Sequence, residues 1–249
     1  MSPWRLEVLR LWRTRRLVVL ASAYLVLGLG IPVAYHYLPA LIATTGTRLL
    51  ALVAFHPTPA EALTGFGQNA AELGTLAVVA VAASGLAVDA RSALAAFYRT
   101  KARSPFTLLL PRYAVTCVAA ALCYGIGSLA AWYETAALIG HPATRTLAEG
   151  PGLGAVWICF CATVVALWAS LVRTVPATVG ASLATLLAIA FVASLADLSS
   201  WSPTTIALGV ALVAKGHPAV VPWRALALTG GATVTLLGVA LWRLPTRKG

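Results

Sequence analysis

Residues 89–112 read DARSALAAFYRTKARSPFTLLLPR, the one strongly charged segment lying between two long apolar runs. The segment carries Arg91, Arg99, Lys101, Arg103 and Arg112 against a single acid, Asp89. A short loop this basic stays on the cytoplasmic side of a membrane, so its flanking apolar runs read as membrane spans. Asp89 fits an N-cap and Pro105 fits a stop signal, and the residues between them predict a short helix. At about 100° per residue, Leu94, Phe97 and Tyr98 share one face. Arg91, Arg99 and Arg103 lie beside and behind it, and Lys101 interrupts the apolar stripe. Such a helix lies against the membrane or presses into a groove on a soluble partner. The plain alternative is a solvated basic loop.

The composition agrees with that reading. Apolar residues make up 60% of the 249 and charged residues 10%, with a mean hydropathy of +0.86. A soluble domain of this length has no use for so much hydrocarbon, whereas a multi-span membrane protein does. The net charge is +11. In a soluble protein that balance would suggest nucleic acid; here the basic residues flank apolar runs, so topology accounts for them and no nucleic-acid partner is expected. Cys117, Cys123, Cys159 and Cys161 all fall inside apolar runs without CxxC spacing, which suits small buried side chains better than a disulfide or zinc framework. The Ala- and Arg-rich usage points to a GC-rich bacterial genome.

At the start of the chain Trp4, Val8, Leu11 and Trp12 recur at helical spacing, with Glu7, Arg10 and Arg13 on the other side. This predicts a helix over 1–16 lying in the headgroup plane. Spans are expected over 17–35, 65–88, 113–133, 152–172, 174–196 and 225–242. The count is all-α and polytopic. With the N-terminus inside, the inner segments collect most of the arginines; the outer ones hold only Arg48, Arg145, Lys215 and Arg224. Both termini are therefore expected to be cytoplasmic, with the chain in a bacterial plasma membrane. Two outer segments contain apolar pieces too short to cross. These are 49–55 and 204–214, the latter bounded by Pro203 and Gly216. Such a piece either enters the bilayer and returns, closing the outer end of the bundle, or lies on the surface.

Glu72 stands apart among the seven acids. The charge-free stretch 73–88 is too short to span, so the second span has to draw Glu72 in from its outer side. An ionisable residue within a span is expected to face the bundle or a wet cavity, here near Gln68 or Asn69; the alternative is a place in the outer headgroup layer. There is no GxxxxGK[ST], HExxH or GxSxG motif, and no paired acid and base in one span. His36, His56, His141 and His217 all fall on the outer side without ligand spacing, so no metal is expected.

An interfacial first helix, six spans, a basic short helix between spans two and three and a re-entrant-like piece before the last span together resemble an ABC-2 type transporter permease. The phrase SALAAFYRTKARSPFTLLLPR at 92–112 is itself similar to the second-to-third-span loop of bacterial members. The resemblance covers nearly the whole chain in layout, and its motif content is confined to this loop. It implies a single transmembrane domain over 1–249, with 1–16 as connecting helix and 89–105 as coupling helix. It also implies that Leu94, Phe97, Tyr98, Arg99 and Arg103 touch a separate ABC ATP-binding subunit. ATP and Mg would be held by that subunit, this chain being no enzyme, and a second permease copy would complete the pathway. The apolar, nearly charge-free spans favour export of an amphipathic or hydrophobic compound, with Glu72 on the substrate path. Two rival readings stand beside it: a membrane enzyme of the lipid or protease type, which should show paired acids, His or Cys at helical spacing within spans, and a channel or a non-catalytic membrane assembly factor without an ATPase. The long first outer loop departs from the family layout.

Overall fold

The computed structural model describes residues 3–44, 57–87, 105–195, 201–215 and 223–246. It is all-α, with no strand among the described residues. An eleven-residue helix α1 (Pro3–Arg13) leads through a two-residue turn into α2 (Arg16–Thr44). Arg15 in that turn takes a φ of 56°, in the left-handed region that L-residues occupy at a cost. There follow α3 (Pro59–Asn69), a π-turn (Ala70–Gly74) and α4 (Thr75–Leu86), which together form one continuous rod. Next come α5 (Pro105–Leu138), α6 (Thr144–Leu171) and α7 (Val175–Leu195). Two short helices, α8 (Pro203–Ala207) and α9 (Gly209–Ala214), precede α10 (Trp223–Thr246).

Among the described residues six helices are long and apolar enough to cross a membrane: Arg16–Ala40, Pro59–Leu86, Leu109–Leu138, Thr144–Leu171, Val175–Ser194 and Trp223–Arg243. The chain is an all-α polytopic membrane protein. Its surface agrees, because Val26, Leu122, Leu187 and Val234 stand exposed on rods where a water-soluble fold would be polar.

Three span helices start well before the hydropathy suggests, the fourth at Thr144 where 152 was expected. The second begins at Pro59, not near 65. Thr58 accepts from the Glu61 amide and Glu61 accepts from the Thr58 amide, a reciprocal cap with proline at the first helical position. The third helix opens at Pro105, so that proline starts a helix where a stop was expected. Proline suits a first helical position because its φ is preset and the amide it lacks would be unpaired there anyway.

α6 is the central rod, and polar ties fix its neighbours to it. The Trp157 indole donates to Thr75 Oγ1 on α4 at 2.9 Å. Tyr113 on α5 bonds Thr163 Oγ1 at 2.8 Å and donates to the Cys159 carbonyl at 3.1 Å. The Trp168 indole donates to Thr185 Oγ1 on α7 at 2.9 Å. In hydrocarbon such bonds contribute about 0.6 kcal/mol each, so they orient helices more than they hold them. Close approach does more. A Cβ on Gly127 of α5 would fall 2.7 Å from the Tyr24 carbonyl oxygen of α2, and Gly28 of α2 faces the Gly127 carbonyl with no room for a side chain. Small residues let these two backbones meet. Tyr24 then packs edge-on against Tyr124, with ring centroids 5.4 Å apart.

The piece before the last span is a wedge within the bundle. Ile206 and Val210 are buried. The Gly67 position on α3 lies against the Ala211 backbone, and Gly150 on α6 lies against Val210. Gly67 is about 12 Å along its helix from Pro59 at 1.5 Å per residue, so the wedge descends past the rim. Protein shields the short helices on two sides, the condition under which broken backbone is tolerated at that depth. The companion piece, 49–55, lies outside the described residues.

Candidate functional site

The two stems of the 88–104 segment are braced by the beginning of the chain. Glu7 on α1 and Arg112 on α5 form an ion pair, Nε to Oε1 2.8 Å, with side chains 17% and 3% exposed. Arg10, one turn along α1, reaches the same carboxylate oxygen at 3.6 Å. At the other stem Arg16 Nη2 donates to the Ser84 carbonyl at 2.7 Å, satisfying one of the carbonyls left over where α4 ends. Residues 3–16 thus grip the last turn before the segment and the first turns after it.

The amphipathic pattern of α1 explains its attitude. Trp4, Val8 and Trp12 stand exposed, Trp12 at 73%, on the face suited to headgroups and acyl chains. Glu7 and Arg10 lie on the face turned to α5. Of the polar face predicted from spacing, Glu7 and Arg10 are therefore turned to protein, while Arg13 stays exposed. Arg112 was legible only as one more loop cation. The missed signal is its position beyond the apolar run 106–110, which carries it into a helix and obliges it to find an acid.

Leu94, Phe97, Tyr98, Arg99 and Arg103, expected to meet a partner subunit, lie outside the described residues.

Glu72 sits in the π-turn, the fourteenth of the 28 residues from Pro59 to Leu86. That places it about 20 Å from either end, at the middle of the rod and not at its outer boundary. The correction follows from the earlier start at Pro59. Glu72 is exposed, as are Gln68, Leu73 and Leu76, so this face does not point into the interior of the single chain. Asn69 is half-buried and donates to the Gly65 carbonyl at 2.9 Å. On the opposite face Ala70 and Gly74 are buried, Gly74 against Tyr24. A wide turn of this kind is often found at functional positions. A carboxylate halfway along an apolar rod is costly against lipid, which makes this face the second candidate surface.

His36 is exposed beside Tyr37, their rings 4.8 Å apart, and His141 lines a small cavity of about 210 Å³ with Thr58, Leu63 and Thr146. Among the described residues no three His, Cys, Asp or Glu side chains gather as a metal site would require.

No family model matches the chain, and no curated protein matches it either.

Proposed function

We propose that this chain is the membrane-spanning half of an ABC-2 type transporter, with both termini cytoplasmic in a bacterial plasma membrane. A separate ABC ATP-binding subunit holds ATP and Mg. Its closure pushes on the 89–105 segment through Leu94, Phe97, Tyr98, Arg99 and Arg103. Two permease copies form the pathway, and the cargo is an amphipathic or hydrophobic compound moved outward.

The observation that supports this reading is the brace at the stems. A push on a loop does work on a bundle only if its stems are stiffly joined to other helices. Here Arg16 holds one stem and Glu7 the other. A displacement of the loop is therefore passed to α1, α2, α4 and α5 together. The exposed Glu72 face suits a path between two copies, where a carboxylate meets protein or water and not acyl chains.

The test is copurification with the product of an adjacent gene encoding a nucleotide-binding domain, followed by the double substitution Phe97→Ala/Arg99→Glu. Membrane insertion stays intact, while subunit copurification and transport fall together. Unchanged copurification and transport in the double variant would remove the coupling assignment. Absence of any ATPase partner would favour the channel or assembly-factor reading. If Glu72 lines the path, Glu72→Gln reduces transport of a cationic compound more than that of a neutral one at matched expression.

A further inference from the structure

A groove of about 370 Å³ runs between α7, α8 and α10, lined by Thr185, Ile189, Val192, Trp201, Pro203 and Leu228 among others. Its position is set by the helices. Val192 to Thr185 descends about 10 Å along α7, and Leu228 lies a little over one turn below Trp223 on α10. The groove therefore runs along the rods at the end of the bundle away from the described chain ends.

Its hydroxyls are already engaged. Thr185 Oγ1 accepts from the Trp168 indole and donates to the Ala181 carbonyl, both at 2.9 Å. Ser202 Oγ bonds Thr204 Oγ1 at 2.7 Å and accepts from the Thr204 amide at 3.2 Å. What remains for an occupant is hydrocarbon. The mouth is different. The Arg224 guanidinium lies 5.0 Å from the centroid of Trp201, which lines the groove, and 5.6 Å from that of Trp223. Cation–π contact on two rings holds the charge beside Trp201, at the end of α10 from which the apolar slot runs down to Leu228. Among the described residues Arg224 joins no ion pair.

We propose that this groove is a binding site for one phospholipid, an acyl chain lying along α7 and α10 and the phosphate held by Arg224. Charge decides against a second copy as the occupant. Two copies inserted the same way are related by an axis along the membrane normal, which preserves depth. An interface centred on this groove would set the two arginines at one level, facing each other. A phosphate complements the guanidinium and an acyl chain complements the slot. The inference does not depend on an ATPase partner, and it stands or falls on the isolated chain.

The experiment is native mass spectrometry of the purified chain from detergent, with phosphatidylglycerol or a diacylglycerol of the same chains added. One phosphatidylglycerol is expected to be retained, with diacylglycerol held about fivefold more weakly, the effect of one surface cation on an anionic lipid. Arg224→Gln should bring phosphatidylglycerol down to the diacylglycerol level. Ile189→Trp should fill the slot and abolish retention of both. Val192→Trp, at a more exposed position, serves if the first variant fails to fold. Leu122→Trp, on an exposed face of α5, is the control and should change nothing. Equal retention of the two lipids would overturn the proposal. So would retention indifferent to a tryptophan at 189 or 192, or a lipid-free dimer that either tryptophan dissociates.

Discussion

At the scale of single residues the Glu7–Arg112 pair has the largest energetic leverage. Arg112 is almost wholly buried, so removal of its acid leaves a charge in a medium of low dielectric. Glu7→Gln is expected to lower stability in detergent by about 3 kcal/mol. The reversed pair, Glu7→Arg with Arg112→Glu, should recover part of that loss, because the two groups lie in direct contact. Thermal unfolding of Glu7→Arg, Arg112→Glu and the double measures the coupling; strictly additive losses would show that the pair does not act as a unit. The residue-level site was only half readable beforehand. Glu7 was legible as part of a polar helix face and Arg112 as a basic residue. Their meeting joins positions 105 apart in sequence, and no local periodicity carries that information.

At the scale of elements, packing of α2 on α5 rests on absent side chains. Gly127 lies against the Tyr24 carbonyl and Gly28 against the Gly127 carbonyl. Gly127→Val should separate the rods and cost about 2 kcal/mol, the usual toll of overpacking. Gly125→Val, two residues away where nothing lies within 4 Å, should stay within about 0.5 kcal/mol of the parent. Melting temperatures of the two variants would separate close packing from helix propensity, which affects both alike. The number of spans was readable because apolar runs of bilayer length are scarce outside membranes. Their starts were less so. Hydropathy marks where polar residues thin out, whereas Thr58, Pro59 and Glu61 start a helix by pairing backbone amides, whatever the polarity of Gln68 and Asn69.

At the scale of the whole molecule, orientation is set by arginine and lysine. If all six candidate spans cross, both described ends lie on one side, and of the described basic residues Arg5, Arg10, Arg13, Arg15, Arg16, Arg112, Arg173 and Arg243 fall at the span ends on that side, against Arg145, Lys215 and Arg224 on the other. Cysteines introduced at Thr144 and Lys215 should react with an impermeant thiol reagent in intact cells. Cysteines at Ser104 and Thr246 should react only after permeabilisation. The native background is low, since Cys117, Cys123 and Cys161 are buried within spans and Cys159 is half-buried. Labelling at 104 in intact cells would invert the topology. The wedge of α8 and α9 shows what composition left open at this scale. An apolar piece of that length suits a membrane surface or a protein interior equally well. The choice came from glycines on other helices, Gly67 and Gly150, which leave space for it.

The wide turn at Ala70–Gly74 gives the second rod a tolerance that its neighbours lack. A uniform α-helix advances about 100° per residue, so a residue lost anywhere along it swings everything beyond through that angle. A π-turn holds one residue more than the α-turn it replaces, and its collapse absorbs a deletion without changing the phase of the segments on either side. Loss of Ala71 should therefore leave Phe66 and Val78 at their present bearings, with Trp157 still on Thr75. Loss of Ala77, in the regular helix beyond, should turn Val78, Val79 and Ala82 out of the core together. Folded yield of the two deletions, compared side by side, reads this directly. The first should approach the parent and the second should collapse; equal damage would mean that the turn stores no spare phase.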